Sequence, residues 1–308
     1  MGTWNVKKLL DWGIDYFKKK DIPESRLSAE LLLSSVLGFS RVKLYLNYNY
    51  EPTRAELEKF KMLIQKRLEH IPIQYILKEA FFRRIKLHVT QDVLIPRPET
   101  ELLVEEALSA VRSFAGDKMI NIMEIGTGSG AIAISLADEL EIEDFHIIAT
   151  DDSKKALEIA KKNAQEILEK DKSDRIDFLC ADIIPKDIEF REKYGSMIDI
   201  LVSNPPYISN KGFDCLPRQV REYEPKRALV AGKTGSETYS RIFEQVKPFL
   251  SQSSFIAVEI DDLVSGTVLE QFREVYGSQP IIKKDYNSKD RILVAWIRKD
   301  APLRSSGK

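Results

Sequence analysis

The chain has 308 residues, 43% hydrophobic and 31% charged, with a formal net charge of −1. That length accommodates one large domain plus a small one, and the balance is that of an ordinary soluble globular protein. No apolar run approaches the ~18 residues of a membrane span, and the first 20 residues, with Asp11, Asp15 and five lysines, resemble neither a signal peptide nor a transit peptide.

The front of the chain reads as helices. Leu9, Leu10, Ile14 and Phe17 recur at helical spacing until Pro23 ends the run. A second helix, about 24–37, stops at Gly38, a natural residue for a left-handed helix end. A third starts at Thr53, whose partner Glu56 completes a capping box, and runs to about Glu69 before Pro72. Ile85, Leu87 and Val89 then alternate with polar residues, which predicts a strand pair. From Thr100 onward helices and strands alternate. Helices are expected at 100–114, 130–138, 153–169, 236–248 and 262–275, and strands at 119–125, 145–150, 176–180, 198–203, 254–260, 280–285 and 291–297. Near-continuous apolar strands such as Phe145–Ala149 imply burial on both faces, hence an α/β, doubly wound, mostly parallel seven-stranded sheet of Rossmann-like type. The tail, Arg304 to Lys308, is expected to fray.

Charge follows this division. Residues 1–90 carry 17 Lys+Arg against 10 Asp+Glu, a balance of +7, and the remainder carries 30 against 38, a balance of −8. A basic front beside an acidic back suggests recognition by the first and chemistry by the second, although basic residues also simply solvate helix faces. The acidic back is a poor match for duplex nucleic acid, so direct nucleic-acid binding is not expected. Cys180 and Cys215, without a CxxC pair, suit a reducing cytoplasm. His70, His88 and His146 are too scattered to build a familiar zinc site with them, and no metal is expected.

Candidate site residues fall at expected strand ends, where such sheets bind ligands. Glu124, Gly126, Thr127, Gly128, Ser129 and Gly130 end the first sheet strand and open a helix, and the glycines allow close backbone approach. Asp151 follows the second strand and can take ribose hydroxyls; Asp182 follows the third and can accept from an adenine amine, with Ile183 beside it to pack on the ring. Either acid alone could equally be a helix cap. Gly126-x-Gly128-x-x-Ala131 also satisfies the dinucleotide fingerprint, which keeps a nicotinamide cofactor as a competitor.

The decisive stretch is Asn204-Pro205-Pro206-Tyr207. Two prolines stiffen the turn and remove two donors. The Asn204 side-chain oxygen and the Pro205 carbonyl can both accept from one planar NH2 group, and Tyr207 offers a face for it to stack on. The plainer alternative is a proline-stiffened turn after a strand. Nothing else supplies hydride chemistry, so the sum favours a methyl acceptor pocket beside an adenosyl cofactor bearing a sulfonium methyl group, S-adenosylmethionine, with S-adenosylhomocysteine as product.

With these residues the chain resembles the N5-glutamine methyltransferases that modify peptide chain release factors, the HemK/PrmC family. The GTGSG-type turn is matched by Gly126–Gly130 and the NPPY turn by Asn204–Tyr207. Ile95-Pro96-Arg97-Pro98-Glu99-Thr100-Glu101 resembles the family's linker signature, and Pro72–Tyr75, Phe81-Phe82, Glu224-Pro225 and Asp290-Arg291 are similar to further family segments. The resemblance implies a class I methyltransferase fold and a five-helix front domain. It implies residues 1–76 for substrate recognition, 77–99 as a hairpin linker and 100–308 for catalysis. It also implies release factors as protein substrates, a cytoplasmic setting, and catalysis by Asn204, Pro205 and Tyr207, with Pro206 and Arg97 contacting substrate. An ordinary salt bridge is the alternative for Arg97. Ribosomal-protein glutamine methyltransferases and adenine-N6 methyltransferases share the NPPY pocket and are the alternatives in substrate.

Overall fold

The fold was obtained as a computed structural model, which describes residues 3–114, 119–142 and 144–299. The tail expected to fray lies outside the described residues. Two compact units result: residues 1–79 together with 217–223, and residues 80–216 together with 224–308.

Among the described residues the first unit has five helices before residue 78: α1 (Val6–Lys19), α2 (Ser25–Leu37), α3 (Arg41–Leu46), α4 (Arg54–Leu68) and α5 (Ile73–Leu77). The three expected from periodicity are α1, α2 and α4. The remaining two are five and six residues long, too short to show a helical period, and they complete the set the resemblance implies. The Asn5 side chain caps α1 by accepting from the Lys8 N–H, and Thr53 with Glu56 forms the expected capping box on α4. Val6, Leu9, Leu10 and Phe17 line one face of α1 and are buried with Leu32, Leu33, Phe60 and Ile64. Arg67 is a polar exception, 2% exposed. Its guanidinium donates to Ser28 Oγ, to the carbonyls of Pro23 and Ile71, and to Gln219 Oε1 at 3.1 Å. The Tyr223 hydroxyl likewise donates to the Glu69 carbonyl at 2.7 Å. Residues 217–223 thus belong to the helical unit although the chain reaches them from the other.

After the strand pair β1 (Glu79–Phe82) and β2 (Ile85–His88), the second unit alternates: α6 (Glu101–Val111), β3 (Ile120–Ile125), α7 (Ala131–Glu139), β4 (Phe145–Asp151), α8 (Lys154–Ile167), α9 (Lys170–Ser173), β5 (Ile176–Cys180), α10 (Ile188–Tyr194) and β6 (Ile198–Ser203). Then follow β7 (Ile208–Ser209), α11 (Asn210–Phe213), α12 (Arg218–Tyr223, in the first unit), β8 (Val230–Gly232), α13 (Glu237–Val246), β9 (Leu250–Glu259), α14 (Ser265–Tyr276), β10 (Ile281–Lys284) and β11 (Asp290–Arg298). The sheet order is β10-β11-β9-β6-β3-β4-β5, with β11 antiparallel to both of its neighbours and every other pairing parallel.

Every residue of β3 and β6 is buried, as strands covered on both faces require. One face packs Met123, Ile148, Leu201, Ile256 and Leu293 against α10, α13 and α14. Helices α6, α7 and α8 lie outside that cluster and touch the sheet on its other face. The expected long loop after β6 is interrupted by short elements. Among them β7 and β8 pair in parallel, Ile208 with Val230, and tie the segment after Tyr207 to one more than twenty residues on.

Candidate active site

Backbone register assembles the site. Ile125 pairs with Thr150 on one side and with Ser203 on the other, so the next residues (Gly126, Asp151 and Asn204) stand level at the carboxyl ends of three strands. Strand order reverses at β3, between β4 and β6, which is where ligand crevices open in such sheets. A cavity of about 300 Å³ lies there, walled by Gly126, Gly128, Asp151, Asp182, Asn204, Pro205 and Pro206 together with Asp92, Arg227 and Arg241.

The turn after β3 has Gly126, Gly128 and Gly130 at φ of +75°, +55° and +83°, a conformation side chains resist. Beneath it Glu124 is fully buried. Its Oε2 accepts from Thr127 Oγ1 (2.8 Å) and from the Ala133 N–H (3.1 Å), while Oε1 has no partner. Burial drives its pKa up to about 7 in spite of those two bonds. The Ser129 carbonyl accepts from Asn163 Nδ2 at 2.8 Å, and Asn163 also exchanges two bonds with the His88 backbone. Thr127, Ser129 and Gly130 therefore shape the turn from behind the cavity wall.

Asp151 uses one carboxylate oxygen for the Gly128 N–H and the other for the Ser153 N–H, both at 2.9 Å. It is thus held against the glycine turn while facing the cavity, and burial raises its pKa. Asp182 reaches the cavity and pairs with Arg241. Ile183 does not stand beside it on the wall: it is 1% exposed, in the core with Met123 and Ile148, because the chain turns inward after Asp182.

In the turn after β6, Asn204 Nδ2 donates to Thr100 Oγ1 at 3.0 Å, and Thr100 Oγ1 donates to Glu259 Oε2 at 2.7 Å. Pro205 and Pro206 complete this side of the wall, and the Tyr207 ring packs against the sheet's core cluster rather than lining the cavity. Burial raises the Tyr207 pKa, with Glu259 adding to it. Arg97 takes the salt-bridge alternative: its Nη2 lies 2.7 and 2.8 Å from the two oxygens of buried Glu224. Thr100, Glu259 and Asn163 were not among the expected site residues. One signal was present: Glu259 is a carboxylate closing the apolar run Phe255–Val258.

This fold and this site define a class I methyltransferase of the S-adenosylmethionine-dependent kind. Residues 8–77 match the family described as PrmC N-terminal domain, and residues 116–275 one described as methyltransferase domain. The release factor glutamine methyltransferase of Chlorobaculum tepidum is 39% identical over 293 residues, covering 94% of this chain and 97% of its own. That of Bacillus subtilis is 36% identical, covering 96% and 99%. The chain belongs to the release factor glutamine methyltransferase family. Among solved structures, the hMettl16 catalytic domain in complex with the MAT2A 3′UTR hairpin 6 aligns with a TM-score of 0.50 at 17% identity over 70% of this chain and 77% of that one, a likeness of fold alone.

The residues present fit the family's cofactor. The glycine turn lets a ligand approach its backbone, and at Gly128 an added Cβ would meet no protein atom within 4 Å. Asp151 and Asp182 offer acceptors along the wall, and Glu124 Oε1 is an acceptor in want of a donor.

Proposed function

We propose that this protein methylates the side-chain amide nitrogen of a glutamine in a peptide chain release factor, at the turn formed by Asn204, Pro205, Pro206 and Tyr207. One observation carries the reading: Asn204 Nδ2 is already engaged by Thr100, so Oδ1 is the atom left to accept from a substrate N–H. S-adenosylmethionine, when bound, supplies an electrophilic methyl group on a sulfonium. Gly126, Gly128 and Asp151, braced by Glu124, Thr127, Ser129 and Gly130, would hold it, with Asp182 toward its adenine.

An amide nitrogen is a poor nucleophile because its lone pair is delocalised into the carbonyl. The protein's task is alignment, with nitrogen and methyl carbon about 3–3.5 Å apart. Asn204 Oδ1 and the Pro205 carbonyl accept the two N–H bonds and direct the remaining lone pair. They also stabilise the positive charge that grows on nitrogen as the N–C bond forms, before a proton passes to water. Tyr207, packed on the core, stiffens the turn. Arg97 supports the loop through Glu224 rather than gripping substrate. The basic helical unit recognises the release factor, and the acidic balance of residues 91–308 disfavours duplex nucleic acid as acceptor.

Asn204→Ala should lower turnover on a purified release factor by on the order of 10²–10³, or ~3–4 kcal/mol. Cofactor affinity, measured by calorimetric titration, should stay within a few-fold. Equal loss of both would assign Asn204 to cofactor binding or to the fold and overturn the reading.

A further inference from the structure

An asparagine amide is nearly symmetrical in shape, and a half-turn about its last bond exchanges oxygen and nitrogen. Only one of the two orientations offers an acceptor to a substrate NH2; the other presents two N–H donors to it. The pocket therefore needs something that distinguishes them.

We propose that Thr100 and Glu259 are positioning residues that fix which way round the Asn204 amide lies. This deepens the function proposed above and rests on it. The Thr100 hydroxyl has a single proton, and it goes to Glu259 Oε2 at 2.7 Å. Its oxygen can then only accept at Asn204, which it does from Nδ2 at 3.0 Å. Reversed, Asn204 would set its carbonyl oxygen against the Thr100 oxygen with no proton between them, a repulsive contact in a site where Thr100 is 4% and Glu259 1% exposed. The fold places the three residues for this. Ser203 pairs with Val258 between β6 and β9, so Asn204 and Glu259 are the next residues at the same level, and Thr100 immediately precedes α6.

The relay works while Glu259 is a carboxylate. Burial opposes that form most strongly and Glu99 adds to it, whereas the Thr100 hydrogen bond, Arg291 and Arg97 favour it; Tyr207 and Tyr239 stand nearby without supplying charge. The outcome is a pKa of about 7. Once protonated, Glu259 can donate to Thr100, whose own proton is then free to turn toward Asn204, and the discrimination is lost.

The test uses the intact protein and a purified release factor, with Asn204→Ala alongside. Thr100→Val should cut kcat on the order of 10-fold to 100-fold, with cofactor KM and dissociation constant within about twofold. Thr100→Ser, which keeps the hydroxyl, should restore most of the lost turnover. Wild-type kcat should fall as pH drops through about 7, and Glu259→Gln should flatten that limb. Unchanged kcat in Thr100→Val, or a cofactor KM that rises in step with the loss, overturns the inference. If Thr100→Val does not fold, a pH limb retained in Glu259→Gln overturns it instead, and a flattened one supports it. An active Asn204→Ala would sink the underlying function; an inactive Asn204→Ala beside a fully active Thr100→Val would sink the relay alone.

Discussion

Glu124 illustrates how a single carboxylate can oppose folding and still belong to the site. It is completely buried, one oxygen accepts two hydrogen bonds, and the other accepts none. Burial raises its pKa from 4.5 to about 7. A raised acid binds its proton more tightly in the folded state, so its contribution to stability is full below pH 4.5 and is lost as pH rises through about 7. Glu124→Gln should therefore stabilise the cofactor-free protein at pH 8, by up to roughly 3 kcal/mol, and the difference should vanish near pH 4.5. Thermal melts of the two proteins across that range, without cofactor, check the sign; a variant less stable at pH 8 would contradict it. Asn204, Gly126 and Asp151 were legible because each ends an apolar run. Glu259 ends an apolar run too, but its link to Thr100, which lies before α6 and 159 residues away, emerges only in the fold. Ile183 and Tyr207 were visible as apolar groups beside the site, but sequence does not say whether such a group faces the ligand or the core.

Among the elements, long ones declared themselves and short ones did not. The seven sheet strands and the long helices have periods or apolar runs that span their length. In contrast, α10 to α12 and the β7–β8 pair have two to seven residues each, below what periodicity resolves. One of them, β7, follows the Asn204–Tyr207 turn directly. Gly235, at φ +93°, lies against that turn so closely that a Cβ there would come within 2.4 Å of the Tyr207 carbonyl oxygen. Gly235→Ala should cost about 2–4 kcal/mol by displacing that carbonyl or straining its own backbone. Urea unfolding measures the loss, and an unchanged midpoint would mean that the turn yields freely. Asn163 performs a comparable task on the other side, joining α8 to the glycine turn through one buried bond and to β2 through two part-buried ones.

Across the whole molecule the charge is unevenly spread, basic over residues 1–90 and acidic over the remainder. A basic helical unit includes residues 217–223, which lie in the chain between Asn204 and the cavity residues Pro225 and Arg227. In the function proposed above, substrate recognition by the helical unit and chemistry in the other share this stretch of chain. The central claim is that a release factor glutamine receives the methyl group at Asn204. Its most direct test is transfer of labelled methyl from S-adenosylmethionine to a purified release factor, with ribosomal proteins and duplex DNA as parallel acceptors, followed by peptide mass mapping. The account predicts one methyl on a single glutamine side chain of the release factor, absent with Asn204→Ala; label on DNA or on a ribosomal protein, with none on the release factor, would contradict it.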